Sequence, residues 1–204
     1  MGDRPKLTER RSVGSPAARR LGRAFGIALL SVLIAPAYPD DSDEPPKLTL
    51  THKVKAAFLL NFSKFAKWPD SCFKDERSPL VIGVYGKTPL TDFLRDKTED
   101  RKSQGRSIVV KSILRIEQAR DCHLLYLPDR KSGDVKVILP KLKKKFILTV
   151  GDTQAACRAG TAIGFFLMDK KLRFAVNLQA VEKSGLTLSS QLLKLGKKVE
   201  PDKR

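Results

Sequence analysis

The chain has 204 residues, 41% of them hydrophobic, and carries 40 Lys and Arg against 22 Asp and Glu, a formal net charge of +18 at pH 7. This length and apolar content supply one sizeable hydrophobic core and are too small for two ordinary domains. The positive charge favours anionic partners such as acidic protein surfaces, anionic lipid or small anions. Nucleic acid fits poorly, because the sequence contains no helix-turn-helix, zinc-finger or RNA-binding aromatic motif.

The first 37 residues predict a signal peptide, and hence a periplasmic location. Basic residues ending at Arg23 precede the apolar run 24–35, which is too short for an ordinary membrane span, and positions 35–37 form an A-x-A cleavage pattern. An uncleaved N-terminal anchor and, from Arg19-Arg20, a twin-arginine signal are the alternatives. Residues 1–37 hold seven basic and two acidic side chains, so 33 basic and 20 acidic ones remain, and the export signal does not account for the basicity.

A flexible linker is predicted over residues 38–47, which contain four acidic residues and three prolines. The folded domain is predicted over residues 48–199. A disordered tail is predicted over residues 200–204.

Within the domain, apolar side chains at three- and four-residue spacing from Val54 to Trp68 predict a first helix, which Pro69 ends. Strands and helices then alternate, and Thr88 is the predicted N-cap of the second helix. The predicted elements are a strand at 80–85, a helix at 89–97, a strand at 107–113, a helical turn at 116–120, a strand at 123–127, a helix at 134–143 and a strand at 146–150.

The C-terminal part is predicted to hold a hairpin and two helices. Strands 162–168 and 172–176 are joined by a polar loop. Asn177 can cap the next helix, which Gly185 closes in the left-handed conformation, and Ser189 can cap the last one. Together the elements predict a single α/β domain whose mixed β-sheet is flanked by helices on both faces.

The sequence offers no catalytic or metal site. No G-x-S-x-G motif is present, and the two histidines, His52 and His123, are not in a metal-spaced cluster with cysteine or acidic residues. Cys122 and His123 are adjacent and point to opposite faces of a strand, so they do not readily bind one ion. We therefore expect a binding protein without a cofactor, not an enzyme.

Two groups of residues are candidate binding positions, a basic cluster and a tryptophan beside a lysine. Lys143, Lys144 and Lys145 belong to the densest basic cluster after the signal peptide and suit either a solvated helix end or a surface for an acidic partner or anionic lipid. Trp68, the only tryptophan, lies beside Lys67 and is either a buried anchor or one wall of a ligand site.

Several short motifs resemble the YfiR-like family of periplasmic proteins. No single motif is specific, but seven occur in the same order over roughly residues 48–199. They lie at 55–62 leading to 68–69, at 81–86, 122–126, 148–152, 157–160 and 174–178, and at 185–193. The resemblance also suggests Asn177 and Ser189, with Lys67 and Trp68, as positions for partner or ligand contact.

The resemblance implies a repressor that binds the periplasmic domain of an inner-membrane signalling protein, a diguanylate cyclase, and so controls cyclic di-GMP. It also implies a homodimer. The alternative is a periplasmic module that senses a small anion and serves a histidine kinase or a transporter.

The resemblance bears on the three cysteines as well. Family members usually pair cysteines near the Cys122 strand and the Cys157 loop, but this chain has Gly83 and Gly164 where the partner cysteines are expected. A Cys72–Cys122 disulfide is then the preferred pairing, and three reduced cysteines are the alternative.

Overall fold

The computed structural model describes residues 47–128, 132–142 and 146–202. The predicted signal peptide, most of the linker, and Lys143, Lys144 and Lys145 lie outside the described residues. No helix in this part of the chain is long and apolar enough to cross a membrane.

Helix α1 spans Leu50–Phe65 and begins at a capping box, in which the Thr49 side chain accepts from the His52 amide and His52 accepts from the Thr49 amide. The predicted helix continued to Trp68, but the structure ends it at Phe65. Ala66–Lys67 instead form a short strand, β1, that pairs antiparallel with Thr187–Leu188, here β9. Sequence periodicity cannot show this pairing, because the two strands are about 120 residues apart.

The main sheet has eight strands and the mixed direction that the sequence predicted. The strand order is β10-β8-β7-β6-β5-β2-β4-β3, and the central strands β4, β2, β5, β6 and β7 are parallel. The strands are β2 Leu80–Tyr85, β3 Lys102–Ser103, β4 Arg106–Ile113, β5 Leu124–Leu127, β6 Leu148–Gly151, β7 Ile163–Met168, β8 Lys171–Val176 and β10 Lys197–Lys198.

The remaining helices lie between these strands. Thr88, Asn177 and Ser189 cap helices as predicted. The helices are α2 Pro89–Thr98, α3 Ser132–Ile138, α4 Gln154–Arg158, α5 Leu178–Ser184 and α6 Ser190–Leu195, and short 3-10 helices span Asp70–Cys72, Ile116–Asp121 and Leu139–Lys141.

Alternate side chains of the sheet enter two apolar cores, which confirms helices on both faces. In β5, Leu124 and Tyr126 belong to the front core, whereas Leu125 and Leu127 belong to the back core. Helices α1, α2, α5 and α6 contribute to the front core, and α3 with the 3-10 helix Ile116–Asp121 contributes to the back core.

The structure also differs from the predicted elements in other places. Helix α4 and strands β3, β9 and β10 were not predicted, since elements of two to five residues carry no periodic pattern. The helix predicted to reach 143 ends at Ile138 and continues as a 3-10 helix around Pro140.

The hairpin loop contains two residues, Asp169 and Lys170. Both have positive φ, as in the two-residue turns that match the twist of the strands. The amide of Asp202, which lies within the predicted tail, donates to the Arg158 carbonyl, and the disorder of the tail stays a prediction.

A largely buried ion pair attaches α1 to the sheet. Lys55 Nζ lies 2.6 Å from Asp152 Oδ1, and the two side chains are 13% and 6% exposed. The Tyr126 hydroxyl donates to the same carboxylate oxygen at 2.7 Å. Asp152 follows β6, so the N-terminal half of α1 is held at the edge where the parallel strands end, here called the carboxyl edge.

We expect Asp152→Asn to lower the free energy of unfolding by about 3 kcal/mol, because it leaves the largely buried Lys55 charge without its counterion. Asp92→Asn is the matched control: Asp92 also lies 2.6 Å from its cation, Arg95, but the two side chains are 78% and 55% exposed. That substitution should cost about 0.5 kcal/mol or less. Urea unfolding followed by circular dichroism measures both, and equal losses would contradict the importance of the buried pair.

Candidate partner-binding site

Trp68 lies in the interior at the opposite edge, where the parallel strands begin, here called the amino edge. Its side chain is 7% exposed. Its indole Nε1 donates to the carbonyl oxygens of His123, at 3.2 Å, and Phe146, at 3.0 Å, which precede β5 and β6. The geometry supports the interpretation of Trp68 as a buried anchor, and a contact with ligand stays a prediction.

An aromatic stack extends from His123 to the surface. The centroid of the Phe73 ring lies 4.5 Å from that of the His123 ring, at an interplanar angle of 13°. The Arg106 guanidinium lies 3.7 Å from the centroid of the same Phe73 ring. Arg106 Nη1 also donates to the carbonyls of Asp75, Glu76 and Ser78. Arg106 therefore holds the loop before β2 in place, and the stack has a structural role.

Three of the predicted site residues meet around the β1–β9 pair. Lys67 is exposed on β1, opposite Thr187, and Trp68 follows it. The Ser189 amide donates to the Phe65 carbonyl, while its hydroxyl caps α6 by accepting from the Leu192 amide. The predicted cap is confirmed, and a role of Lys67 or Ser189 in binding stays a prediction.

Asn177 is 1% exposed, and both ends of its amide are engaged. Its oxygen accepts from the Ala180 amide and its nitrogen donates to the Cys157 carbonyl. These bonds confirm the predicted cap and connect α5 to α4. The residue also borders a groove between these helices.

The cysteines face the two glycines that the resemblance singled out. A Cβ at Gly83 would lie 2.6 Å from Cys122 Sγ, and a Cβ at Gly164 would lie 2.6 Å from Cys157 Cβ. Cys72 packs beside the front core and Cys122 within the back core. The Cys72–Cys122 disulfide stays a prediction, and a thiol count in denaturant distinguishes one free thiol from three.

One exposed apolar feature that the sequence analysis missed is the tip of the β7–β8 hairpin. β7 pairs with β6 only at Ile163 and Gly164, so the following residues extend past the carboxyl edge. At the tip Leu167 is 70% and Met168 48% exposed. Apolar residues directly before a predicted turn were the available signal, because an ordinary turn is polar.

The first two turns of α1 add to this surface. Phe58 contacts the rings of Phe165 and Phe174 at the base of the hairpin, and Val54 and Leu50 lie four and eight residues earlier on the same helix. Both side chains are exposed, and the Lys55–Asp152 pair places this end of α1 at the carboxyl edge. We call Leu50, Val54, Leu167 and Met168 the hairpin surface.

Positive charge surrounds the tip. Lys170, Lys171 and Arg173 are exposed on the hairpin, against one exposed acid, Asp169. Exposed apolar side chains within a cationic rim suit a protein partner that offers an apolar site with acidic surroundings.

The described residues thus form a mixed α/β domain with exposed apolar side chains at one edge. The chain belongs to the YfiR/HmsC-like family, whose pattern matches residues 52–197, and proteins of this family are regulators, not enzymes. The resemblance seen in the sequence is confirmed. No curated protein matches the chain closely. In the part of the chain that the structure describes, no three His, Cys, Asp or Glu side chains form a group suited to a metal ion.

Trp68→Phe tests the anchoring role of the indole. It keeps an aromatic ring but removes both hydrogen bonds, one of them the buried bond to the His123 carbonyl, and should lower the free energy of unfolding by about 2–3 kcal/mol. Circular dichroism in urea is the measurement, since the only tryptophan is lost. Leu114→Ala, at a side chain 56% exposed, should change stability by about 0.5 kcal/mol or less. An unchanged stability of Trp68→Phe would contradict the anchor.

Burial raises the pKa of the Cys157 thiol to about 12 from 9.0. We therefore expect the native thiol to resist iodoacetamide at pH 8 and to react once the protein is denatured. The unfolded thiol ionises near pH 9 and the folded one does not, so wild type should lose stability relative to Cys157→Ala as the pH rises from about 9 towards 12. Peptide mapping and urea unfolding measure the two effects, and rapid native alkylation would contradict the first.

Proposed function

We propose that this protein is a periplasmic negative regulator that binds the extracytoplasmic domain of a membrane-bound diguanylate cyclase and so lowers cyclic di-GMP. The observation that carries this proposal is membership of the YfiR/HmsC-like family, whose pattern covers nearly the whole described domain. The protein would act by binding alone, with the catalytic step carried out by its receptor on the other side of the membrane.

The hairpin surface is the region that we assign to the receptor. Its four apolar residues are exposed on the β7–β8 hairpin and on the first turns of α1, so they can enter a groove on the partner without unfolding the regulator. The lysines and arginine beside them would direct the surface towards an acidic receptor domain and make binding weaker at high salt.

Regulation would follow from selective binding. A repressor that binds the inactive state of the receptor more tightly than the active state shifts the receptor towards inactivity, by no more than the difference in the two affinities. A homodimer, which the family resemblance implies, would present two hairpin surfaces to a receptor dimer.

Cyclic di-GMP measured by mass spectrometry tests this proposal in a deletion strain. We expect the level to rise on deletion and to return when the wild-type protein is supplied, but not when Leu167→Glu is supplied, because a buried charge at the contact opposes binding. Leu114→Glu adds the same charge to an exposed leucine that follows β4, the fourth strand from β7 in the sheet order, and should complement fully.

The two parts of the proposal fail separately. An unchanged level on deletion would contradict cyclase repression. Full complementation by Leu167→Glu would contradict only the assignment of the hairpin surface, provided that circular dichroism shows both variants to be folded.

A further inference from the structure

A groove of about 990 Å³ lies at the amino edge, far along the strands from the hairpin surface. It is bounded by the 3-10 helix Leu139–Lys141, the end of α4, the start of α5 and the residues after β10. Its volume is at the upper end of the range for small-molecule sites. We call it the α4–α5 groove.

The α4–α5 groove combines apolar walls with an excess of positive charge. Leu139, Pro140, Ala159, Ala180 and Pro201 supply apolar surface. Lys136, Arg158 and Lys183 are its cations and Asp202 is its one acid. Three cations against one carboxylate leave a net charge of two, which favours an anion that carries an apolar body.

The cations are only partly neutralised by the described residues. Lys136 Nζ lies 3.9 Å from Asp202 Oδ2, at the limit of an ion pair and with both side chains about half exposed. Lys183 Nζ donates to the neutral Gln179 oxygen at 3.1 Å. Among the described residues no carboxylate lies within ion-pair distance of Arg158 or Lys183, so both side chains can bind an external anion.

Buried contacts keep the walls in place. Asn177 bonds both α4 and α5 from the interior, and the Asp202 amide bonds the last residue of α4. Gly160 has a φ of +128°, and a Cβ there would lie 3.0 Å from Leu139 Cδ1, so glycine permits the close approach of α4 to this wall. The groove is therefore formed before any ligand binds, which lowers the entropic cost of binding.

We propose that the α4–α5 groove binds a soluble organic acid, with a carboxylate or phosphate held by Arg158 and Lys183 and an apolar body against Leu139, Ala180 and Pro201. A free inorganic ion would leave the apolar walls uncovered. This inference does not depend on the proposed receptor, and it would give the protein a chemical input at the edge opposite its partner surface.

The proposal is tested by calorimetric titration of the purified protein with four compounds: octanoate, octyl phosphate, octanol and inorganic phosphate. The two amphiphilic anions should bind with one site per chain, and octanol and inorganic phosphate should each bind at least about tenfold more weakly, since each lacks half of the recognised chemistry. The double variant Arg158→Gln, Lys183→Gln should weaken octyl phosphate by about tenfold or more.

The matched control is Arg120→Gln, which removes an exposed arginine from the 3-10 helix Ile116–Asp121 and should change affinity by less than about twofold. The proposal would be overturned if octanol or inorganic phosphate bound as tightly as the amphiphilic anions, or if the double variant kept the wild-type affinity for octyl phosphate. It would also be overturned if neither amphiphilic anion bound at millimolar concentration. Binding to phosphatidylglycerol vesicles without binding of the soluble anions would overturn it in favour of a lipid headgroup.

Discussion

The amino edge depends on the two hydrogen bonds that the Trp68 indole makes with the carbonyls before β5 and β6. They fix where α1 gives way to β1, since Trp68 must enter the sheet directly after the β1–β9 pair. They also help to hold Phe146 at a φ of +68°, a conformation that costs a residue with a side chain on the order of 1–2 kcal/mol. The Phe146 amide donates to the Ser184 carbonyl, and its ring packs where a side chain at Gly185 would otherwise lie.

The two candidate sites lie at opposite edges and are joined by contiguous structure. The carboxyl edge carries the hairpin surface, held by the Lys55–Asp152 pair beneath α1. The amino edge carries the α4–α5 groove, whose helix α5 reaches Trp68 through Ser184 and Phe146. Helix α1 runs from one edge to the other over about 24 Å. A ligand in the groove would therefore contact an element packed against the same core as the hairpin surface, which is a physical route for regulation.

Much of the fold could be predicted because its signals are local. The strand Leu80–Tyr85 is a continuous apolar run between turn residues. Thr88, Asn177 and Ser189 are recognisable N-caps, because their side chains bond amides only two or three residues later. The candidate sites were less accessible. The contact role suggested for Asn177 stays a prediction beside its confirmed role as a helix cap. Leu167, Arg158 and Lys183 were not singled out, because exposure and clustering depend on segments far apart in the chain.

By itself, the sequence determined the family, the α/β class, the caps and the excess of positive charge, since each follows from neighbouring residues or from composition. Only the tertiary structure decided that Trp68 is an interior donor, that Gly83 and Gly164 face Cys122 and Cys157, and that the cations at 136, 158 and 183 share one groove. The physical reason is that these contacts join residues from different elements. Their distances are set when the sheet brings its strands into register and the helices pack on its faces, and no local pattern in the chain encodes that geometry.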